Sequence, residues 1–179
     1  MEDVFQKLIL MIRAYYPVLY LHSYEYYRTK QKIKGIVELL RREGKKVNYY
    51  QWDCVYGLVQ ILPDKTEKRI ERMQNPLEVL AYILNSKKSG EKNIFVLDDI
   101  NNHIERDEVK LMFRKIAEAT NNNTHAIILS SIYRLPAELE KYITVLQIPL
   151  PKRNVYNFLL GITIHKTELN HTSGRNILG

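Results

Sequence analysis

The stretch 94–99, which reads Ile-Phe-Val-Leu-Asp-Asp, decides the fold class of this chain. Four apolar residues followed by two acids are too few for a helix and are typical of a strand buried on both faces. Similar short apolar runs lie at 18–22, 47–52, 125–129 and 143–148, and amphipathic helical patterns separate them. This alternation predicts an α/β three-layer sandwich with a five-stranded parallel sheet covered by helices on both faces.

The helical patterns account for most of the remaining sequence. Helices are predicted over 3–15, from 23 or 24 to 44, from 75–76 onward, over 106–120 and, as a short helix, over 136–142. Residues 59–62 could form a short extra strand. The folded domain is predicted to cover residues 1–160, and the polar tail 161–179 is predicted to be poorly ordered.

Composition excludes several classes of protein. With 45% hydrophobic and 26% charged residues in 179, the chain can bury a full core, which excludes long intrinsic disorder. Cys54 is the only cysteine, so there is no internal disulfide and no cysteine-based zinc cluster. No apolar run reaches the roughly 20 residues of a membrane span, and Met1-Glu2-Asp3 is not the start of a signal peptide. A reduced, soluble compartment is expected.

Polar side chains follow four of the predicted strands. Ligands of open α/β sheets bind outside the carboxyl ends of the strands. The candidate positions there are His22-Ser23, Asp53, Asp98-Asp99 and Ser130-Ser131.

Asp98-Asp99 is the sharpest of these signals, because apolar residues followed by two acids have the form of a Walker B strand. In nucleotide triphosphatases the first acid holds Mg²⁺ and the second orients or deprotonates the attacking water. The alternative is two acids at a strand end, one of which caps a turn.

A phosphate-binding loop is missing from the sequence. Such a loop reads Gly-x-x-x-x-Gly-Lys-Ser/Thr, so that backbone N–H groups can wrap the phosphates. Of the seven glycines only Gly44 precedes a lysine, and Leu39 and Lys46 occupy the other positions of the motif. After the first strand, where the loop belongs, residues 22–27 read His-Ser-Tyr-Glu-Tyr-Tyr, and Glu25 would repel phosphate.

Other candidate residues carry weaker signals. His22 could be a general base, but it has no identifiable partner, which favours a packing role. His165 and His171 lack the cysteines or acids of a metal site. No residue near Cys54 in sequence marks it as an activated nucleophile, and no Gly-x-Ser-x-Gly elbow exists.

The chain is moderately basic, with 27 Lys+Arg against 20 Asp+Glu and a net charge of +7. One basic group lies on the second helix and its exit, and another covers residues 65–72. Tyr24, Tyr26, Tyr49 and Tyr50 lie near the first group, which makes stacking on a single-stranded nucleic acid conceivable. Glutamates dilute both groups, so a solvated helix face is the favoured interpretation.

Several segments together carry a resemblance to a known family. They are 17–21 with Glu25, 75–78 (Asn-Pro-Leu-Glu), 95–99, 128–130 (Ile-Leu-Ser), 135–141 (Leu-Pro-Ala-Glu-Leu-Glu-Lys), 143–146 and 149–151 (Pro-Leu-Pro). In order and spacing they resemble the N-terminal part of the plastid and cyanobacterial AAA ATPases called hypothetical chloroplast open reading frame forty-six proteins. The resemblance covers residues 3–160. It implies a degenerate P-loop-NTPase-like domain with strand order 5-1-4-3-2, followed in the family by a C-terminal AAA domain with the intact nucleotide site.

The resemblance also implies roles for individual residues. Asp98 and Asp99 match the Walker B acids, with aspartate in place of the usual second glutamate. Ser130 stands at the sensor position, where asparagine is commoner, and Lys141 lies near the position of an arginine finger. Asp98, Asp99 and Ser130 are therefore expected to be vestiges of a nucleotide site.

The expected function is a catalytically silent AAA-like module that serves assembly or partner binding beside an active ATPase domain. No catalytic residue, metal or cofactor is expected on this chain, whereas the parent family uses ATP and Mg²⁺. Expected partners are a protein or an AAA-type second copy, with nucleic acid a weaker alternative and no membrane. The resemblance places the protein in the plastid stroma or the bacterial cytoplasm. An atypical ATP-binding protein that uses Asp98 and Asp99, and a basic nucleic-acid-binding module, remain open alternatives.

Overall fold

The computed structural model describes residues 2–70, 73–86, 91–119 and 123–150. All of its helices and strands belong to one compact unit, Met1–Pro149. The predicted polar tail 161–179, with His165 and His171, lies outside the described residues, so the domain boundary at residue 160 stays a prediction.

The elements alternate along the chain as the hydrophobic pattern predicts. In order they are α1 (Glu2–Arg13), β1 (Val18–His22), α2 (Tyr26–Arg42), β2 (Val47–Asp53), β3 (Gly57–Ile61), β4 (Glu67–Ile70), α3 (Pro76–Ser86), β5 (Lys92–Asp98), α4 (Asp107–Glu118), β6 (Thr124–Ser130) and β7 (Thr144–Gln147). Short 3₁₀ turns cover Ile100–His103 and Ala137–Leu139, and the second replaces the longer helix predicted over 136–142. None of the described helices is both long enough and apolar enough to cross a membrane.

The strands form one sheet in the order β4-β3-β2-β5-β6-β1-β7. Five of these strands are parallel, namely β7, β1, β6, β5 and β2 in sheet order. With the five predicted strands numbered along the chain, this is the order 5-1-4-3-2 that the resemblance implies. The predicted count of five is too low, because β3 and β4 add an antiparallel meander to the outer side of β2. The sheet is therefore seven-stranded and mostly parallel.

The meander begins at a tight turn after β2. The Asp53 carboxylate accepts hydrogen bonds from the N–H groups of Val55 (2.8 Å) and Tyr56 (2.7 Å), which reverses the chain. Gly57 then adopts a φ of +74°, where an added Cβ would lie 3.2 Å from the backbone of Met73. The side-chain bonds of Asp53 and the positive φ of Gly57 together favour a hairpin at this point of the chain.

The two faces of the sheet carry separate cores. Alternate residues of each parallel strand point to opposite faces: in β5, Ile94 and Val96 face α1 and α2, whereas Phe95 and Leu97 face α3 and α4. All four of these side chains are fully buried. Helices on both faces explain why the strands read as continuous apolar runs.

The start of α2 is later in the chain than predicted. Ser23 still belongs to the sheet edge, because its N–H donates to the carbonyl oxygen of Ser130 (2.9 Å). Its buried hydroxyl bonds the Thr29 hydroxyl (2.8 Å), so the helix begins at Tyr26 and not at 23 or 24. The predicted stop at Gly44 is confirmed, since this residue has a φ of +79° directly after the helix.

Candidate functional site at the carboxyl edge of the sheet

The carboxyl ends of β1, β5 and β6 lie side by side in the sheet. The connection from β1 to α2 consists of three residues, Ser23–Glu25. It is closed by local contacts, since the Glu25 N–H donates to the Ser23 hydroxyl (3.1 Å). In a P-loop protein this connection is a longer, glycine-rich loop that surrounds the phosphates.

Asp99 adopts a left-handed backbone conformation, with a φ of 52°. Aspartate tolerates this region better than most residues. Its N–H donates to the carbonyl oxygen of Leu129 (2.9 Å), which holds it against the end of β6. Its Oδ1 accepts hydrogen bonds from the Tyr26 hydroxyl (2.5 Å) and from the Ser130 hydroxyl (2.8 Å). The chain itself therefore provides two donors to this carboxylate.

The Tyr26 hydroxyl joins two strand ends. It donates to Asp99 and accepts from the Ser131 N–H at 2.9 Å. Burial, followed by the hydrogen bond to the Asp99 carboxylate, raises the pKa of Tyr26 above its usual value. The phenol consequently stays protonated, as a donor to Asp99 must be.

Asp98 forms an ion pair with Lys30 from α2, through Oδ2 and Nζ. The two side chains are only 15% and 23% exposed, respectively. Burial raises the pKa of the Asp98 carboxyl, Lys30 opposes that rise, and the nearby charges of Asp53 and Asp99 add to it. The other oxygen of Asp98, Oδ1, is buried without a hydrogen-bond partner among the described residues. Lys30 thus supplies the positive charge that this acid needs.

Magnesium triphosphate does not fit this arrangement as it stands. A cation on Asp98 would face the Lys30 ammonium, and a water held by Asp99 would have to displace the Tyr26 phenol. Among the residues that the structure describes, no group of three or more His, Cys, Asp or Glu side chains could hold a metal ion. The acids can anchor α2 to the ends of β5 and β6.

The other predicted candidates lie apart from this cluster or take backbone partners. The ring of His22 donates from Nε2 to the carbonyl oxygen of Ser131 (3.0 Å) and packs near Tyr24, with ring centroids 5.3 Å apart. Cys54 is exposed in the turn after β2. Lys141, the predicted arginine-finger position, lies 4.8 Å from the centroid of the adjacent Tyr142 ring.

Tyr26 and Lys30, the partners of the two acids, were not predicted from the sequence. The prediction of a solvated face for the basic group on the second helix is wrong for Lys30, because Lys30 faces Asp98. The available signal was spacing: residues 26 and 30 are four apart, so they share one face of a helix that starts beside the acidic strand end. The stacking role considered for Tyr49 and Tyr50 is also wrong, since both rings are buried.

Comparison with known proteins gives consistent matches. Residues 4–148 match the family described as SpoVK-like AAA ATPase, N-terminal domain. The chain is 28% identical over 147 residues to an AAA domain-containing protein, ycf46, of Guillardia theta, covering 81% of this chain and 27% of that protein. The ycf46 proteins of Trieres chinensis and Pyropia yezoensis are 28% and 26% identical, over 83% and 82% of this chain and 28% of each relative.

The chain spans a little over a quarter of the length of these relatives. The family match, in contrast, covers nearly all of the residues that form the sheet and its helices. This chain therefore belongs to the family of SpoVK-like AAA ATPase N-terminal domains.

Proposed function

We propose that this chain is a catalytically silent AAA-like module that binds a protein partner beside an active ATPase domain. The observation that carries the proposal is that its own side chains bond both acids of the Walker B position. Lys30 is paired with Asp98, and Tyr26 and Ser130 donate to Asp99. A P-loop enzyme reserves these groups for Mg²⁺ and water.

The connection between β1 and α2 supports the same conclusion. Triphosphate binding needs several backbone N–H groups aimed at one point, together with a lysine. Here the three-residue connection carries the carboxylate of Glu25, which is held by Arg28 at 2.9 Å. The nearest lysine on α2, Lys30, is already paired. A phosphate chain would therefore meet negative charge where it needs donors.

The alternative of atypical ATP binding requires that these contacts break. A nucleotide would have to separate Lys30 from Asp98 and Tyr26 from Asp99 before Mg²⁺ could reach either acid. Both separations unpair groups that are partly buried, which is unfavourable. We therefore propose that Asp98 and Asp99 are vestigial Walker B acids and that Ser130 occupies a vestigial sensor position.

Calorimetric titration of the chain with ATP and Mg²⁺ tests this proposal. We expect no binding by the wild type, and none by Lys30→Ala, because freeing Asp98 does not supply phosphate donors. Micromolar, magnesium-dependent binding that disappears in Asp98→Ala would overturn the proposal and favour the nucleotide-binding alternative.

The size of the relatives supports a second, modular part of the proposal. They are named as AAA domain-containing proteins and are more than three times as long as the matched region. We propose that an active AAA domain is supplied by such additional sequence, or by a separate chain, in the plastid stroma. A purified AAA domain of a relative should therefore bind this chain in a pull-down, and no association at micromolar concentration would count against this part.

A nucleic-acid-binding role has weaker support. Of the residues considered for it, Tyr49 and Tyr50 are buried and Lys30 is paired with Asp98. Binding to single-stranded DNA that falls steeply with salt, and that weakens when Lys32 and Lys34 become alanine, would favour this role instead.

A further inference from the structure

A groove of about 380 Å³ runs along the outer surface between α1 and α2. Phe5 and Ile9 of α1 line one side of it, and Ile36 and Leu39 of α2 line the other. Leu39 is 40% exposed, so the groove offers apolar surface to solvent. Asp98 and Asp99 do not line this groove, and the proposed silence of the carboxyl edge does not involve it.

The side of α2 that faces the groove has a fixed spacing. Arg28, Lys32, Gly35 and Leu39 all line it, and they follow one another at steps of four, three and four residues. Such residues form one stripe along a helix. From Arg28 to Leu39 this stripe is about 16 Å long, because each residue adds about 1.5 Å. A helix of about three turns would match its length.

Gly35 has no structural explanation among the residues that the structure describes. It lies in the middle of α2 on the exposed side, where glycine weakens a helix relative to alanine. A Cβ at this position would have no heavy atom within 4 Å, and its φ is not in the left-handed region. Nothing in the described residues therefore requires glycine here. A close approach by the backbone of another molecule would require it.

Charge identifies the kind of molecule that fits. The rim of the groove at the start of α2 carries Arg28 and Lys32, whereas the end at Leu39 is apolar. Glu25 holds Arg28 at 2.9 Å, but Lys32 forms no salt bridge with any residue that the structure describes. The rim is therefore positive at one end and apolar at the other. A matching ligand is apolar along one side and carries carboxylates near one end.

We propose that the α1–α2 groove is the docking site for an acidic amphipathic helix, of about three turns, from a partner protein. The partner's apolar residues would lie on Ile9 and Leu39, its backbone would pass closest at Gly35, and its carboxylates would pair with Lys32. This is the helix-in-groove mode of recognition. The inference rests on the proposed partner-binding function and adds the surface and the chemistry of the partner.

A displayed library of amphipathic helices of about 11 residues, or three turns, tests the inference, screened against the complete 179-residue chain. One library carries glutamates at one end of the polar face, and the matched library carries lysines there. We expect binders from the acidic library only. Absence of enrichment over the lysine library would overturn the inference.

Three variants then locate the site on the chain. Gly35→Gln fills the groove with a side chain that favours helix, and it should weaken binding at least tenfold. Lys32→Glu should weaken binding at least tenfold, whereas the matched change Lys34→Glu, outside this groove on the same helix, should alter it less than twofold. Circular dichroism melting of each variant checks that the fold is kept.

Two results would refute the assignment. One is enriched peptides that bind Gly35→Gln and Lys32→Glu as tightly as the wild type. The other is equal weakening by Lys32→Glu and Lys34→Glu, which would indicate attraction to net charge alone. Neither result bears on nucleotide binding. The peptide experiments therefore test the docking groove, whereas the ATP titration tests the silent-module proposal, and the two proposals can fail separately.

Discussion

Replacing Lys30 by methionine tests whether the ion pair at the carboxyl edge holds the domain together. The change keeps an unbranched side chain that is only one atom shorter and removes the charge that faces Asp98. Breaking a fully buried pair by removing one partner costs about 3–5 kcal/mol, because the other charge is left uncompensated. Here the side chains of Lys30 and Asp98 keep 23% and 15% of their exposure, so we expect a loss of about 2 kcal/mol at pH 8.

The loss should depend on pH in a defined direction. Burial raises the pKa of Asp98, and Lys30 opposes that rise, so the variant raises this pKa further. An acid with a raised pKa in the folded state binds its proton more readily when folded. The destabilisation is therefore fully present at pH values above the pKa of Asp98 in the folded variant. It shrinks as the pH falls from that pKa toward the ordinary carboxyl pKa of the unfolded chain. The defect should be smaller at pH 5.5 than at pH 8.

Urea unfolding followed by the fluorescence of Trp52, which is buried, measures both quantities. Lys34→Met is the matched control, because Lys34 lies on the same helix without a salt bridge to the described residues, and it should change the free energy of unfolding by less than about 0.5 kcal/mol. Adding Asp98→Asn to Lys30→Met should restore about 1 kcal/mol, since it removes the unpaired charge. A Lys30→Met defect no larger than that of the control, or one equal at both pH values, would refute the reasoning.

Three further predictions concern other parts of the molecule. Tyr26→Phe removes the hydroxyl 2.5 Å from Asp99 and should lower the free energy of unfolding by about 1–2 kcal/mol in the same urea assay; an unchanged midpoint would contradict the bridging role. Gly35→Ala should raise the free energy of unfolding by about 0.5–1 kcal/mol, because its Cβ meets open space; a lowered thermal midpoint would mean that the position is not open. Lys92 is 8% exposed, lies 3.0 Å from His125 and has its pKa lowered by burial to about 8. Because the folded state loses this proton at a lower pH than the unfolded state, the free energy of unfolding should rise from pH 7.5 to 9.5 in the wild type and rise less in Lys92→Met. Parallel pH profiles of the two proteins would argue against this prediction.

The parallel part of the fold could be predicted from the sequence because burial on both faces leaves a simple pattern. The run at 94–97 is apolar at every position, and the structure places these side chains alternately in two cores. The strand order came from the resemblance and agrees with the observed order. The meander was predicted only in part: the possible extra strand over 59–62 corresponds to β3, whereas β4 was not predicted. β4 reads Glu-Lys-Arg-Ile and lies at the edge of the sheet, where exposed charged residues produce no apolar pattern.

The candidate site could be located from the sequence, but its internal contacts could not. Polar residues at strand ends indicate one edge of a parallel sheet, and Asp99 and Ser130 do meet there. The partner of Asp98 depends on where α2 begins and how it is rotated. Lys30 lies three residues before the buried Ile33, and so on the side of α2 that faces the sheet, but a lysine on a helix is ordinarily assigned to solvent because of its charge.

The pairing of Lys30 with Asp98 has a consequence for how the protein responds to the energy state of its compartment. A nucleotide-dependent enzyme gains stability when its ligand is abundant and loses it when the ligand is scarce, in proportion to the logarithm of the ligand concentration. Under the proposal that this domain binds no nucleotide, Lys30 already neutralises Asp98 and the stability of the domain has no such dependence. Its melting temperature should then be the same at low and at high ATP concentration, so that the fraction of folded domain able to bind a partner does not change with nucleotide supply.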